Sequence, residues 1–562
     1  MAGSGQTVRI RDFLNWARSI LWPDRAFFLL AVVYGIAISL LSLATPISVQ
    51  MLINSIAYTA LPAPLFTLAA VLFALLMAST VLSAFRAHLM EVFRRRFFAR
   101  LVAEITLRAV HARDPFFGDA RRGDLFNRFF DIMNVQKAIP SLLIGLFTIL
   151  LQSAVGFVVT SLYHPIFLAF NLVFVTLVWL VWRLWSRPAM TAAVALSHVK
   201  YDTAHWVDSV GASNGFYKSS RHIDYAIDRT EALTARYVAA DRRYFGYAFT
   251  QTLLFLTLYA AGSAGLLALG GWLVIQGQLS IGQLVAAELI LSSIFYGTAQ
   301  LGPYIETFYE LVVACEELHL FWEVPQETPA ANAATPDGRG DLVLRGVQID
   351  GCSFDFEVPA GTRLIAAADA DVQRMLALLL KRHRRPDAGF VMLGGADISA
   401  LDTYRLRSEV IVLDRSSIVE SSIFDYLDLA SDADAAQMMD ALRLVGLDQT
   451  VGVLPDGIHT LLSSTGWPLA VPDVMRLKFA AAVLAAPRIL VLSPLFDMIP
   501  RRDLDRMLAA FANTRTSLLY FTNRAQLPLL EGFLWVGRAQ QQPVADVAEF
   551  DRLRNGPPAV TA

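Results

Sequence analysis

The sequence predicts an all-α membrane domain of six spanning helices followed by a soluble α/β domain. Three observations predict it. Hydrophobic residues make up 55% of the 562-residue chain and charged residues 17%, a balance that points to a membrane protein. Apolar runs long enough to cross a bilayer are confined to the region before Trp322, whereas the remainder alternates short apolar strands with charged and Pro/Gly-containing turns. Lysine and arginine crowd into alternate connections of the first region and avoid the others.

The first 25 residues carry Arg9, Arg11, Arg18 and Arg25 among Phe13, Leu14, Trp16, Ile20, Leu21 and Trp22. That mixture suits an amphipathic helix lying on the membrane surface rather than a cleavable signal. Spanning runs follow at 26–53, 62–84, 138–163, 165–186, 247–275 and 281–313. The connections at 54–61, 162–165 and 274–280 contain no Lys or Arg, while Arg86 to Lys137 and Arg187 to Arg243 are rich in both. The basic stretches, and with them both termini, are therefore expected on the cytoplasmic side.

Each basic stretch continues a helical apolar period, so both read as extensions of spanning helices into the cytoplasm. Six helices with short outer turns and two long inner hairpins resemble the transmembrane domain of type I ABC exporters. A local segment resembles that family's first coupling helix: Phe116-Phe117-Gly118-Asp119-Ala120-Arg121-Arg122-Gly123-Asp124-Leu125-Phe126-Asn127-Arg128, followed by Asp131. Gly123 breaks the helix there and Asp124 can cap the next. The resemblance assigns coupling to Gly123, Asp124 and Arg128.

Glu288 stands within the sixth run, where an ionisable group facing lipid would be costly. It is expected to face the bundle interior, either lining a substrate path or held structurally near an interface. Cys315 and Cys352 lack metal-ligand spacing and read as reduced, buried thiols, and no metal is expected. A net charge of −2 argues for neither nucleic acid nor an acidic substrate; membrane lipid is an expected partner because of the spanning runs.

After Trp322, a stretch to Gly340 rich in Ala, Pro and Thr reads as a linker. A strand at 341–349, Pro359-Ala-Gly361 leading into the strand Arg363-Leu-Ile-Ala, and an apolar helix ending before Arg385-Pro386 come next. Leu393-Gly394-Gly395-Ala-Asp397-Ile398, Leu406-Arg407-Ser408 and Leu454-Pro-Asp-Gly457 complete a skeleton that resembles an ABC ATPase domain of the P-loop NTPase type. The chain divides accordingly into an elbow helix 1–25, a type I transmembrane domain 26–322, a linker 323–340, an ABC-type nucleotide-binding domain 341–545 and a tail 546–562.

The chemistry departs from that family. Nucleotide hydrolysis needs a glycine-rich loop around the phosphates, a Lys, and a Ser or Thr for magnesium. Aligned through Gly361, the loop is Ala367 to Met375, with Ala367, Ala370, Val372 and Arg374 where glycines and polar ligands belong and Gln373 in the place of the Lys. Asp369 and Asp371 would repel phosphate. The strand Pro487-Arg-Ile-Leu-Val-Leu492 ends in Ser493-Pro494 instead of Asp-Glu, and neither residue is a general base at neutral pH. The signature turn is represented by Leu469-Ala470-Val471-Pro472-Asp473, and Asn523 replaces the His that senses the terminal phosphate. Around Leu413, where a Gln should stand, come Asp414 and Arg415, and no Tyr precedes Gly361 for adenine stacking.

The sequence therefore predicts a degenerate nucleotide-binding domain with no catalytic residue and no cofactor of its own, ATP and magnesium being carried by a partner. The first functional expectation is a non-hydrolysing subunit of a heteromeric ABC exporter in a bacterial inner membrane, paired with a homologous half-transporter whose ATPase is intact. The alternative is a regulatory or scaffold pseudo-transporter that moves no substrate. In such dimers each phosphate loop faces the other subunit's signature, so pairing with an intact subunit completes neither site unless the partner tolerates a defective signature. The run Gly277-Gln278-Leu279-Ser280-Ile281-Gly282-Gln283-Leu284 resembles exporters that work with a periplasmic adaptor, which adds that partner to the expectation.

Overall fold

The computed structural model describes residues 10–58, 63–113, 123–327, 341–524, 527 and 530–555. The chain divides into two compact units, Met1–Gln326 and Glu327–Ala562.

The first unit is built from helices α1 (Ile10–Leu21), α2 (Arg25–Leu41), α3 (Ala44–Tyr58), α4 (Ala63–Val110), α5 (Asp131–Ser141), α6 (Phe147–Ser161), α7 (Pro165–Ala212), α8 (Ser220–Ile275), α9 (Ile281–Ala299) and α10 (Leu301–His319). Six helical stretches among the described residues are long and apolar enough to cross a membrane. Helices α4 and α7 run 48 residues and α8 runs 56, roughly 70–85 Å at 1.5 Å per residue, more than twice a bilayer core.

The elbow helix is fastened by charge as well as by packing. Phe13 meets Phe308 edge to face at 5.4 Å, and Asp24, 1% exposed, takes Arg100 at 2.8 Å with Arg96 at 3.7 Å. A carboxylate buried to that degree persists only with such partners.

The sixth run, expected as one span over 281–313, is two helices that meet at Gln300. Pro303 has no N–H to offer the preceding turn, which favours a new helix start there. Where α9 begins, Gly277 takes φ +69° and Ser280 forms a capping box: its Oγ accepts from Gln283 N at 3.1 Å while its own N donates to Gln283 Oε1 at 3.0 Å. The Gly277–Leu284 motif thus has a complete local role as a turn and helix cap.

The second unit contains two sheets. The first is antiparallel, ordered β2-β1-β4-β5, from β1 (Leu342–Ile349), β2 (Cys352–Val358), β4 (Ala388–Leu393) and β5 (Ala396–Asp397). The second is ordered β10-β9-β3-β8-β7-β6, from β3 (Arg363–Ala367), β6 (Val410–Leu413), β7 (Ile489–Leu492), β8 (Ser517–Phe521), β9 (Gly532–Val536) and β10 (Gln541–Val544). All neighbours in it pair in parallel except β9 with β10. Strands β7 and β8 are buried along their whole length, as a parallel sheet covered on both faces requires. The covering helices are α11 (Ala370–Leu380), α12 (Thr403–Glu409), α13 (Ile423–Asp428), α14 (Ala435–Val445), α15 (Asp448–Val453), α16 (Val471–Ala485), α17 (Arg501–Ala509) and α18 (Val547–Asn555). Helix α18 falls in the stretch expected as a tail, yet its Phe550 is fully buried against Phe533, ring centroids 4.9 Å apart.

Candidate functional site

In a nucleotide-binding fold of this type, the phosphate site lies where β3 hands over to the next helix. Gly361, at φ +74°, makes the turn into β3, and its N donates to Ser517 Oγ at 2.9 Å. Strand β3 ends at Ala367, itself 6% exposed in the sheet core, and α11 begins at Ala370. Only Ala368 and Asp369 connect them, where the alignment placed a loop running to Met375. The stretch has no glycine to hold the chain open, Asp369 occupies the N-cap position, and Asp371 sits in the first turn, where negative charge suits the helix dipole. Helix therefore occupies positions 370 onward, which the sequence alignment assigns to a loop.

That helix changes the part each aligned residue plays. Val372, expected to obstruct a phosphate, is fully buried in the core between the sheets. Gln373 turns inward and its Nε2 donates to Ala368 O at 2.7 Å, closing on the backbone that would have cradled phosphate. Ala370 and Arg374 are exposed helix positions. Asp371, expected to repel phosphate, is ion-paired with Arg538.

At the end of β7, Ser493 N donates to Leu413 O and its Oγ accepts from Leu495 N at 3.4 Å. Pro494 opens a 3-10 turn. The carboxylate nearest this corner is Asp497, which sequence reasoning missed. It accepts from Tyr520 Oη at 2.6 Å, Thr522 Oγ1 at 2.5 Å and Asn523 N at 2.9 Å, and Arg524 donates to its carbonyl. Burial, followed by the bond to Asp497, pushes the Tyr520 phenol well above its usual range. Asn523 contributes its backbone N to this network, and its carbonyl accepts from Arg554 at 2.6 Å.

Helix α16 carries the signature-like residues at its start. Leu469 is buried, Ala470 is the N-cap without a side-chain bond, Val471 is exposed and Pro472 lies in the first turn. Asp473 lies 3.4 Å from Arg476, which also binds Asp503 at 2.9 Å. Asp414 and Arg415 are exposed, and the carbonyls of Arg415 and Ser417 accept from Lys478.

Magnesium–ATP does not fit these groups. Two residues cannot wrap phosphates, and the unit contains just two lysines, Lys381 and Lys478. Lys381 forms the C-cap of α11 and Lys478 is held by carbonyls. Burial lowers the Lys478 ammonium from its ordinary range, so it too is a poor phosphate clamp.

Within the first unit, Arg128 closes the 3-10 helix Gly123–Phe130 against α10. Its guanidinium pairs with Glu317, lies over the Tyr201 ring at 5.1 Å, and shares Glu317 with Ser197, whose Oγ donates at 2.7 Å. The expected coupling residue is thus an internal clamp. Residues 116–122 lie outside the described residues, and Gly123 and Asp124 are described as backbone alone. Beside the clamp, His198 meets Glu316 at 3.1 Å, and His198, Glu316 and Glu317 bring one ligand atom each within 4.8 Å. This group could hold a cation; its residues lie too far apart in sequence for spacing to reveal it. Glu288 is half-buried and accepts from Ser292 Oγ at 2.6 Å, one turn along the same helix. Cys315 and Cys352 are buried free thiols.

The fold and its two units define the class: a multi-pass membrane protein with the architecture of a type I ABC exporter half-transporter, a helical membrane domain fused to an α/β domain of the P-loop NTPase type. The family model for the ABC transporter transmembrane region matches residues 28–200. A solved bacterial Atm1-family ABC exporter with ATP bound superposes with a TM-score of 0.77 at 17% identity, over 95% of this chain and 97% of that one.

Among relatives, the alpha-hemolysin translocation ATP-binding protein HlyB of Escherichia coli O157:H7 is 27% identical over 235 residues, 40% of this chain and 33% of the relative. That match spans a third of the relative's length. The exotoxin translocation ATP-binding protein PaxB of Pasteurella aerogenes is 22% identical over 523 residues, 85% of this chain and 69% of that protein.

Proposed function

We propose that this chain is a non-hydrolysing half of a heteromeric exporter in a bacterial inner membrane, and that its partner is a homologous half-transporter carrying ATP and magnesium on its own ATPase domain. The observation that carries the reading is the β3–α11 junction, where two residues replace a phosphate loop and Gln373 bonds to Ala368 O at 2.7 Å. Hydrolysis needs oriented backbone donors and a cation at that place, and the chain supplies neither. The domain would then serve as a rigid body that pairs with the partner's domain, while the spanning helices contribute half of the transport path.

The relatives' names, alpha-hemolysin and exotoxin translocation, support export as the direction of transport. A periplasmic adaptor as a further partner rests on the resemblance of the run Gly277–Leu284, in which Ser280 and Gln283 form a capping box. A second reading is a scaffold or regulatory protein that keeps the fold and moves no substrate.

The test is the ATPase activity of the purified chain alone and then with a half-transporter recovered from native membranes. The proposal expects no magnesium-dependent turnover from the chain alone and stimulation of transport in the complex. Turnover by the chain alone would overturn it, and a stable complex with no transport would favour the scaffold.

A further inference from the structure

Among the described residues, Arg86 has no counter-charge. It lies on the packed face of α4 and is 6% exposed, yet its one hydrogen bond among the described residues runs from Nη1 to Thr148 Oγ1 at 2.7 Å. No described carboxylate lies within ion-pair distance of it. The contrast is Asp24, also buried, which is matched by Arg100 and Arg96. The residues packed nearby in the sequence of both helices, Leu89, Met90, Leu142, Leu143 and Ile144, belong to an apolar cluster. A guanidinium held among such groups with one neutral acceptor is costly unless an anion reaches it.

The position says where that anion comes from. From Leu65, where the spanning stretch begins, to Arg86 the helix rises roughly 32 Å, close to the thickness of the hydrocarbon core. Arg86 therefore sits at the level of phosphates on one face of the bilayer, just before the run Arg94-Arg95-Arg96. The sealed, unpartnered arginine nitrogens among the described residues are those of Arg94, Arg108, Arg363, Arg476 and Arg524. The Nε and Nη2 of Arg86 are not among them and keep an opening. Thr148 itself follows a π-helical turn, Leu142–Leu146, an irregularity that often accompanies a binding site in a helix.

We propose that Arg86, with Thr148 fixing its orientation, binds the phosphate of an anionic lipid headgroup in the membrane unit. The proposal is independent of whether the attached domain hydrolyses ATP. Two N–H groups of a guanidinium suit two phosphate oxygens.

The test uses the full chain, purified in a neutral detergent and stripped of lipid, with phosphatidylglycerol, phosphatidylcholine or soluble glycerol phosphate added. Phosphatidylglycerol should raise the thermal unfolding midpoint by several degrees more than phosphatidylcholine, and native mass spectrometry should show it retained. Arg86→Gln should abolish the difference, and Arg86→Lys should keep part of it. Equal shifts with the two lipids in the wild type, or an undiminished shift in Arg86→Gln, would overturn the site. An equal shift from glycerol phosphate would overturn the lipid as its occupant. If Arg86→Gln fails to fold, the wild-type comparison still decides, and Thr148→Val, which keeps the charge, should retain a smaller lipid-specific shift.

Discussion

The Tyr520 hydroxyl donates to the Asp497 carboxylate at 2.6 Å, joining the corner after β7 to the end of β8. Both partners belong to a chain of bonds that includes Thr522 and the Asn523 backbone. Tyr520→Phe should lower stability by about 1–3 kcal/mol, the cost of one charge-assisted bond and an imperfectly satisfied acceptor. Asp497→Asn should cost at least as much, since several donors lose their anion together. Thermal unfolding of the full chain checks both; wild-type stability in either would reduce the network to a surface feature.

Gln373→Lys should leave nucleotide binding absent, because the helix begins at Ala370 and the added ammonium has no loop to work with. Titration with a fluorescent ATP analogue is the measurement. Micromolar binding by this single variant would mean that the loop re-forms easily and that the lysine was the only missing part.

Burial pushes the Glu317 carboxyl up from 4.5 to about 7, with Glu316 adding to the rise and Arg128 and Ser197 opposing it. A carboxyl whose folded pKa is raised binds protons better folded than unfolded, so its contribution is full below pH 4.5 and fades as pH rises through 7. The unfolding midpoint should fall across that window, and Glu317→Gln should flatten this part of the profile. An unchanged slope in Glu317→Gln would assign the pH dependence elsewhere.

Arg128→Ala removes the cation that holds the Glu317 carboxyl down, so the carboxyl protonates more readily and the loss of stability should grow as pH rises above 7. The double variant Arg128→Ala/Glu317→Gln should recover most of that loss. Asp124→Ala tests coupling separately: it should weaken transport or partner ATPase stimulation with membrane insertion intact. Full transport by Asp124→Ala would remove the mechanical part of the subunit reading.

The large divisions of this molecule were legible because hydropathy and charge are local properties. Spanning runs of apolar residues and a segregated set of arginines need no tertiary knowledge, and the burial of β7 follows from Ile489-Leu-Val-Leu492 alone. The break at Gln300 was less visible, since Pro303 in an apolar run permits either a kink or a new helix. Alignment by position assigns Ala367 to Met375 to a loop, but a string without glycine has a propensity that favours helix, and α11 starts at Ala370. Asp497 and the Arg128–Glu317 clamp escaped because their partners are distant in sequence, and hydrogen-bond partners carry no periodic mark. Arg86 was counted with the cytoplasmic charges, as any arginine at the end of a spanning run would be.

On the non-hydrolysing reading proposed above, the two-residue junction between β3 and α11 also constrains the history open to this protein. Glycine at one of the positions Ala368 to Val372 would loosen α11 without creating a cradle, and Val372 would give up a fully buried core site. Each step back toward a nucleotide site is thus a loss of folding stability with no activity gained until several changes coexist. Such a lineage is held by a ratchet: descent by point substitution can refine the packed junction, while a return to nucleotide binding must cross less stable intermediates on which selection has nothing to act.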